Sequence, residues 1–578
     1  MFTLRCAAQT LVLFLLTLAV GLPASAGPTK AQLDHIANNL RSLPAEHQKL
    51  LSSGLNRLLQ LDAVLNDSHS RVGDSGGTVV VPKLATASRM LAAVHTRAIL
   101  STGPGGTIAV SDPGLDYATS AMTGFTQSET SSAWCGNSVV AGYNDSGAFA
   151  RTAGVDYSAA WSFSSASYSH DGGRTFTDIG QMNPGTNPVN FIAGDPVVAC
   201  TSPTRFYYTS IFGSGQDASG NFFNGVAINT SDDGGQTWGP PVAAVAKDFN
   251  HSIDKPWLAA DPNHPRRLYV TYTDFDFSGL AGDPSAACPN DIRYAIELVR
   301  SRDTGATWSA PIVIHQECYF GGGFNGVQGS NVVVGSNGRV YVGYEFYPAA
   351  FPYNEIHLAR SVESEEGGLR FATPVTVSTV WPNGNFGHLQ GGFRNNEFPQ
   401  VAVDRSSGSS RGSIYVAWSD GVYNIFHDLP IIVGDYAYPD VVVARSSDGG
   451  RSFSAPVRVS PAPSSFTGRG RDQFFPGISV DNRGVVGACY YDRREHATND
   501  AIDRYCATSQ DRGASWNEQR VSTSNWTPAH ASDAVINLFY IGDYDSISSD
   551  FLLQNSGFFS SFEVQTDGNP DVVAARFR

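Results

Sequence analysis

"RSSDGGRSFSAP", from Arg445 to Pro456, sets an Asp between small residues, follows it with two glycines and closes on an aromatic. Alone, Asp448 reads as a catalytic carboxylate, a metal ligand or the pin of a turn. Its copies decide. "SHDGGRTF" (169–176), "SDDGGQTW" (231–238), "SRDTGATW" (301–308) and "SQDRGASW" (509–516) repeat the frame, and "SEEGGLRF" (364–371) keeps it with Glu366 in the acidic place. Ser and Asp side chains accept hydrogen bonds from the N–H groups of their own turn. Gly supplies the positive φ such a turn needs, and the closing Trp or Phe fills a gap between units. Asp171, Asp233, Asp303, Asp448 and Asp511 are therefore read as structural.

Two further phrases recur in step with the first. An alternating apolar strand ends in aromatic–x–Asp at "SVVAGYND" (138–145), "RLYVTYTD" (267–274), "SIYVAWSD" (413–420) and "VVGACYYD" (485–492). Upstream lies an acidic strand entry: "GDPVVAC" (194–200), "DKPWLAAD" (254–261), "EFPQVAVD" (397–404), "DQFFPGISVD" (472–481) and "GDYDSISSD" (542–550). A unit of about four strands that repeats in this way predicts an all-β propeller. Seven units follow from about residue 130: 134–182, 190–247, 254–315, 326–379, 397–460, 472–523 and 542–578. The last stops after its third strand, so its outer strand must come from residues 79–128, with "TVVVP" and "TIAV" as candidates. Closing the ring from the other end of the chain removes an open sheet edge.

Composition fits this reading. The 578 residues carry 59 Gly, 31 Pro and 11% aromatics, as many short strands and tight turns require. A formal charge of −15 argues against a nucleic-acid partner and for a neutral or cationic ligand. Residues 1–26 read as a signal peptide: Arg5, the apolar "LVLFLLTLAVGL", then "ASA" ending at Ala26. No later stretch has the length of a membrane span, so a secreted or periplasmic monomer is expected. Residues 27–78 read as a helical extension and linker. Leu33, Ile36, Leu40 and Leu43, then Leu51, Leu55, Leu58, Leu59 and Val64 after Pro44, mark two amphipathic helices, either a docked cap or a removable pro-segment. Six cysteines remain after the signal. Repeat position pairs Cys135 with Cys200, Cys288 with Cys318 and Cys489 with Cys506, as staples of small neighbouring units.

The SxDxGxxW phrases resemble the Asp-box, or bacterial neuraminidase repeat, of the sialidase superfamily, over residues 130–578. That resemblance implies a propeller whose boxes lie away from the active site. It also implies an arginine cluster for a substrate carboxylate, a carboxylic acid for the leaving group and a tyrosine that forms a covalent intermediate. The chain departs from the family in lacking an Arg–Ile–Pro phrase and in having seven units, with six blades kept as the alternative.

Meander topology places the acidic strand entries (Asp195, Asp254, Glu397, Asp472, Asp543) and the second-strand ends (Asp145, Asp274, Asp420, Asp492) on the rim opposite the boxes, where loops converge. On that rim Tyr544, Asp254 and Glu397 are the catalytic candidates. Arg394, Arg471 and Arg493 are the substrate-binding candidates, each with a salt bridge to a neighbouring acid as its competing role. The recurring carboxylates equally suit strand capping or a bound cation such as Ca²⁺; no cofactor is required. The function expected is action on an extracellular glycan or glycoconjugate, as a sialidase-like glycoside hydrolase. The alternatives are a non-catalytic propeller binding a glycan, protein or cell surface, and a polysaccharide lyase.

Overall fold

The computed structural model describes Ala98–Ile99 and residues 107–578, apart from 116, 119–122, 125, 149–159, 188–189, 216–221, 249, 320–324, 349–353, 363–367, 384–388, 392–394, 422–437, 461–470, 528–540 and 567–568. The expected signal peptide, helical extension and linker lie outside the described residues, as do Glu366 and Arg394.

Seven separate antiparallel meanders form the blades of a propeller, which overturns the six-bladed alternative. Blade 1 runs Gln127–Cys135, Ser138–Asp145, Ser164–Ser169 and Phe176–Asp178 from inside to outside, with Ala98–Ile99 added at its outer edge. Blades 2 and 3 follow to Val242–Lys247 and Ile312–Cys318, blade 4 to Val375–Val380, blade 5 to Val457–Arg458 and blade 6 to Asn517–Arg520. Blade 7 has three strands from the last units of sequence, Ile547–Ser549, Phe558–Thr566 and Asn569–Phe577. Its fourth is Thr107–Ala109, paired antiparallel with Val573–Ala575. "TIAV" is thus the closing strand.

The blades are thin, so their cores are the seams between them. Tyr208 of blade 2 packs edge-on against Trp238, and Phe176 of blade 1 meets Phe559 of blade 7 at 5.5 Å. Buried valines, alanines and tyrosines of successive second strands fill the remaining seams. The disulfides lie where repeat position put them. Cys135–Cys200 joins the inner strands of blades 1 and 2, Cys288–Cys318 ties the blade 3 insertion to its outer strand, and Cys489–Cys506 links directly opposed residues in blade 6.

The acidic turns are built as the phrase predicts. Ser446 Oγ donates to Asp448 Oδ1 at 2.8 Å and accepts from Gly450 N–H. Asp448 Oδ1 also accepts from the Arg451 and Ser452 N–H groups, and Oδ2 from the Ser452 hydroxyl at 2.7 Å. Asp171, Asp233, Asp303 and Asp511 repeat this pattern. Gly449 and Gly450 both have positive φ, 76° and 79°. Hydrogen bonds to the charged form hold the carboxyls low, to about 2 for Asp171, where they outweigh burial, and for Asp511, where that of the Ser515 hydroxyl is largest. Folded-state pKa values below the ordinary ~3.9 mean that this support is present above that value and is lost as pH falls through about 2.

Replacing Asp448 by Ala is expected to lower the unfolding free energy by roughly 1 kcal/mol, a hydrogen-bond-scale loss at a solvent-screened site. Ligand binding at the opposite rim should be unchanged. Chemical denaturation at pH 7 and pH 3 checks both the loss and its shrinkage in acid.

Candidate functional site

The inner strands do not run straight. Four have a register break near the rim opposite the acidic turns: between Ser128 and Ser131, Asp254 and Trp257, Gln328 and Asn331, and Phe474 and Gly477. The residue at the break takes positive φ: Glu129 at 53°, Lys255 at 49°, Gly329 at 69° and Phe475 at 49°; Asp195, between the two inner segments of blade 2, is at 54°. A bulge re-aims the side chain it carries. A non-glycine residue held in this conformation costs of order 1–3 kcal/mol, and such strain concentrates at functional positions.

Three of these bulges bring charges together. Lys255 of blade 3 is 5% exposed. Its Nζ lies 3.0 Å from Glu129 of blade 1, 3.0 Å from Asp195 of blade 2 and 2.6 Å from Asp543 of blade 7. Amides complete the ring. Asn144 Nδ2 donates to Glu129 Oε2 while its Oδ1 accepts from Asp195 N–H, and Asn396 of blade 5 donates to Asp543. Burial raises the Asp195 pKa above the usual carboxylate range; the Lys255 ammonium opposes the rise, and the neighbouring Asp254 adds to it.

Beside this hub lies a second arrangement. Glu345, at the end of the second strand of blade 4, and Glu397, at the entry to blade 5, are both buried and hydrogen-bonded to each other. Burial, then the charge of Glu397, pushes the Glu345 carboxyl well above its ordinary value. Burial and the neighbouring charge both disfavour ionisation of the two carboxyls together. Asn383 N–H donates to Glu397 Oε1 at 2.6 Å, and Asn354 Nδ2 to Glu345 Oε1 at 2.8 Å.

The predicted residues fall out as follows. Glu397 lies against Glu345 and raises its pKa. Asp254 stands beside the hub and accepts from Gln328 Nε2 of blade 4 at 2.5 Å. Tyr544 is 5% exposed; its hydroxyl donates to the Pro196 carbonyl at 3.0 Å, and its ring packs edge-on against Trp257 and lies 5.7 Å from Lys255 Nζ. Those contacts give Tyr544 a positioning role at the blade 2 bulge. Arg493 is 1% exposed and bonds Asp472 Oδ2 and the Gln390 and Asn499 carbonyls, so it holds the entry of blade 6. Arg471, expected to reach Asp472, instead donates to the carbonyls of His496 and Ala497. Arg394 is outside the described residues. Among the described residues the groups that converge at the centre are carboxylates around a lysine.

Sequence reasoning missed Glu129, Lys255 and Glu345. "DKPWL" carried a signal, since a lysine inside an otherwise acidic entry phrase is the odd member of its set. Glu345 stands in "RVYVGYEF" (339–346), a further second-strand phrase, one place before the position where the other copies carry Asp. Among the described residues no group of three or more His, Cys, Asp or Glu side chains is arranged to hold a metal ion. Where Glu129, Asp195 and Asp543 meet, the Lys255 ammonium occupies the centre.

No family model matches the chain, and no curated protein matches it. Among solved structures, a protein of unknown function from Dyadobacter fermentans is similar over 67% of this chain and 94% of its own, at 14% identity and a TM-score of 0.39. The Hadza microbial sialidase Hz136 is similar over 72% of this chain and 73% of its own, at 13% identity and TM-score 0.37. An α-L-arabinanase from Penicillium chrysogenum, solved with arabinobiose, covers 67% of this chain and 93% of its own, at 13% identity and TM-score 0.39.

Replacing Lys255 by Met leaves three buried carboxylates without their cation and is expected to cost about 3–5 kcal/mol. Millimolar Ca²⁺ should recover part of that loss in the variant and leave the wild type unchanged. Thermal unfolding with Ca²⁺ and with a chelator reads both outcomes.

Proposed function

We propose that the chain is an exported glycan-acting propeller, a glycoside hydrolase that works at the rim opposite its acidic turns. The observation that carries this reading is the Glu345–Glu397 pair, in which burial and the neighbouring charge favour the protonated carboxylic acid on the rim opposite the acidic turns. Cleavage of a glycosidic bond needs such a group to protonate the departing oxygen. Glu397, at the strand entry, is assigned that role, and Glu345 positions its proton. Asp254, on the neighbouring arc of the rim, is assigned the role of base or nucleophile. The three disulfides fit an oxidising compartment.

The acid-rich centre bears on the substrate. A sialic acid would bring a carboxylate to a site where Glu129, Asp195, Asp543 and Asp254 already surround one lysine. A neutral or cationic sugar meets no such repulsion. The exo-sialidase reading is therefore the less favoured form of the hydrolase proposal. A second reading, a propeller that binds a glycan without turning it over, is favoured by how fully these groups are engaged with one another: Lys255 by three carboxylates and Tyr544 by a backbone carbonyl.

The test is hydrolysis by the full chain across fluorogenic sialosides, arabinosides, hexosides and hexosaminides, alongside a glycan array. Turnover of a neutral or cationic glycoside, reduced at least about a hundredfold in Glu397→Gln, supports the hydrolase. Array binding with no turnover on any glycoside overturns it in favour of the binding reading. The proton on Glu345 is held above the ordinary Glu value of ~4.3. The activity limb it governs should fall as pH rises through the raised value. Its contribution to stability has the same sense, full below ~4.3 and lost as pH rises through the folded-state value.

A further inference from the structure

The two rims differ in charge. In the sequence Lys and Arg number 38 against 53 Asp and Glu, and among the described residues the only lysines are Lys247 and Lys255, both bound to carboxylates on the acidic rim side. The rim that carries the acidic turns is instead rich in arginine. Arg174, Arg266, Arg302, Arg451 and Arg512 are all exposed there. The turns between first and second strands share this rim: Gly172 N–H donates to the Asn137 carbonyl and Thr304 N–H to the Arg266 carbonyl.

The arginines are grouped. Arg174 Nη1 of blade 1 and Arg576 Nη1 of blade 7 lie 3.7 and 3.9 Å from the point where a Cβ on Gly172 would sit. The same arrangement recurs at another seam, where Arg339 Nη1 of blade 4 and Arg451 Nη1 of blade 5 lie 3.6 and 3.9 Å from that point on Gly449, with the Tyr341 hydroxyl at 3.9 Å. A third group sits on blade 3: Arg300 of the third strand is paired with Tyr269, two residues past Arg267, and the Arg266 carbonyl accepts from Thr304 N–H, two residues past Arg302. The pKa of Arg576 is lowered by burial and then by Arg174 and Arg578.

The acids of these turns keep their negative charge, but their oxygens are engaged within the turn and leave the guanidinium donors unpaired with them. Asp448 spends both oxygens on the N–H and hydroxyl groups of its own turn, and Arg451 reaches back only to the Asp448 carbonyl. Guanidinium has five donors in a fixed fork suited to carboxylate, sulfate or phosphate oxygens. A pair of them over a glycine, which offers no side chain to block approach, is a place for one anionic group.

From this geometry we infer that the arginine-bearing rim docks an acidic polysaccharide, whose successive anionic groups sit over the Gly172, Gly449 and blade 3 arginine groups. Groups spaced around a ring favour a flexible polyanion over one small ion. A lipid surface is the poorer fit: the exposed large apolar side chains among the described residues are Val242 and Val313 on outer strands and Leu280 in the blade 3 insertion, too scattered to form a patch. Duplex DNA is the poorer fit because a stiff, densely charged rod would approach a protein of net charge −15. The inference is independent of catalysis at the other rim.

The full chain is expected to be retained on immobilised heparin at about 0.1 M salt, where surface charges act over only ~10 Å, despite its net negative charge. Arg266→Gln/Arg302→Gln/Arg339→Gln/Arg451→Gln should bind at least about tenfold more weakly, the summed effect of four exposed charge pairs, with an unchanged unfolding midpoint. The double variant Arg266→Gln/Arg302→Gln, neither of whose side chains holds a fold contact, should show an intermediate loss. Passage of the wild type through the column, or variants that elute with it, would overturn the proposal. So would equal, arginine-dependent binding to phosphatidylglycerol vesicles or to a DNA duplex.

Discussion

Lys255 is the constraint around which the rest is arranged. Its ammonium is desolvated and bonded to blades 1, 2 and 7 from its seat on blade 3. A propeller has no central core of its own, so its axis has to be held by the inner strands' side chains. A cation ringed by carboxylates ties the inner strands together with fixed geometry, at the cost of desolvating four charges. The positive φ of Glu129, Asp195 and Lys255 is the local strain that this arrangement sustains.

The hub also sets the electrostatics of its surroundings. One ammonium among Glu129, Asp195, Asp543 and the nearby Asp254 leaves the centre negative. That excess is part of why carboxyl pKa values rise here, together with burial. On the blade 4–5 arc the same logic operates without a lysine: burial and the charge of Glu397 push the Glu345 carboxyl upward. The two arrangements meet one problem, crowded buried acids, in chemically different ways.

The blade count, the turn role of Asp448, the closing strand and the three disulfide pairings were legible because each rests on a repeat, and a repeat compares a residue with its own copies. The site was legible only as a rim. What decides it breaks the repeat. Lys255 replaces an apolar or acidic neighbour in one entry phrase, Glu345 sits one position off its frame, and Glu129 precedes the first clear copy of anything. Arg493 makes the salt bridge to Asp472 that its position offered as its competing role, and Arg471 donates to the His496 carbonyl.

The pairing of Thr107–Ala109 with Val573–Ala575 ties nearly the first described strand to nearly the last. Its consequence is temporal. While the chain is being made, the outer strand of blade 7 has no partner and the seam between blades 1 and 7 has no second wall. The ring can close only once Ile547–Ser549, Phe558–Thr566 and Asn569–Phe577 exist. A chain of this design stays an open stack of blades until those strands are made, with Thr107–Ala109 waiting longest for its neighbour.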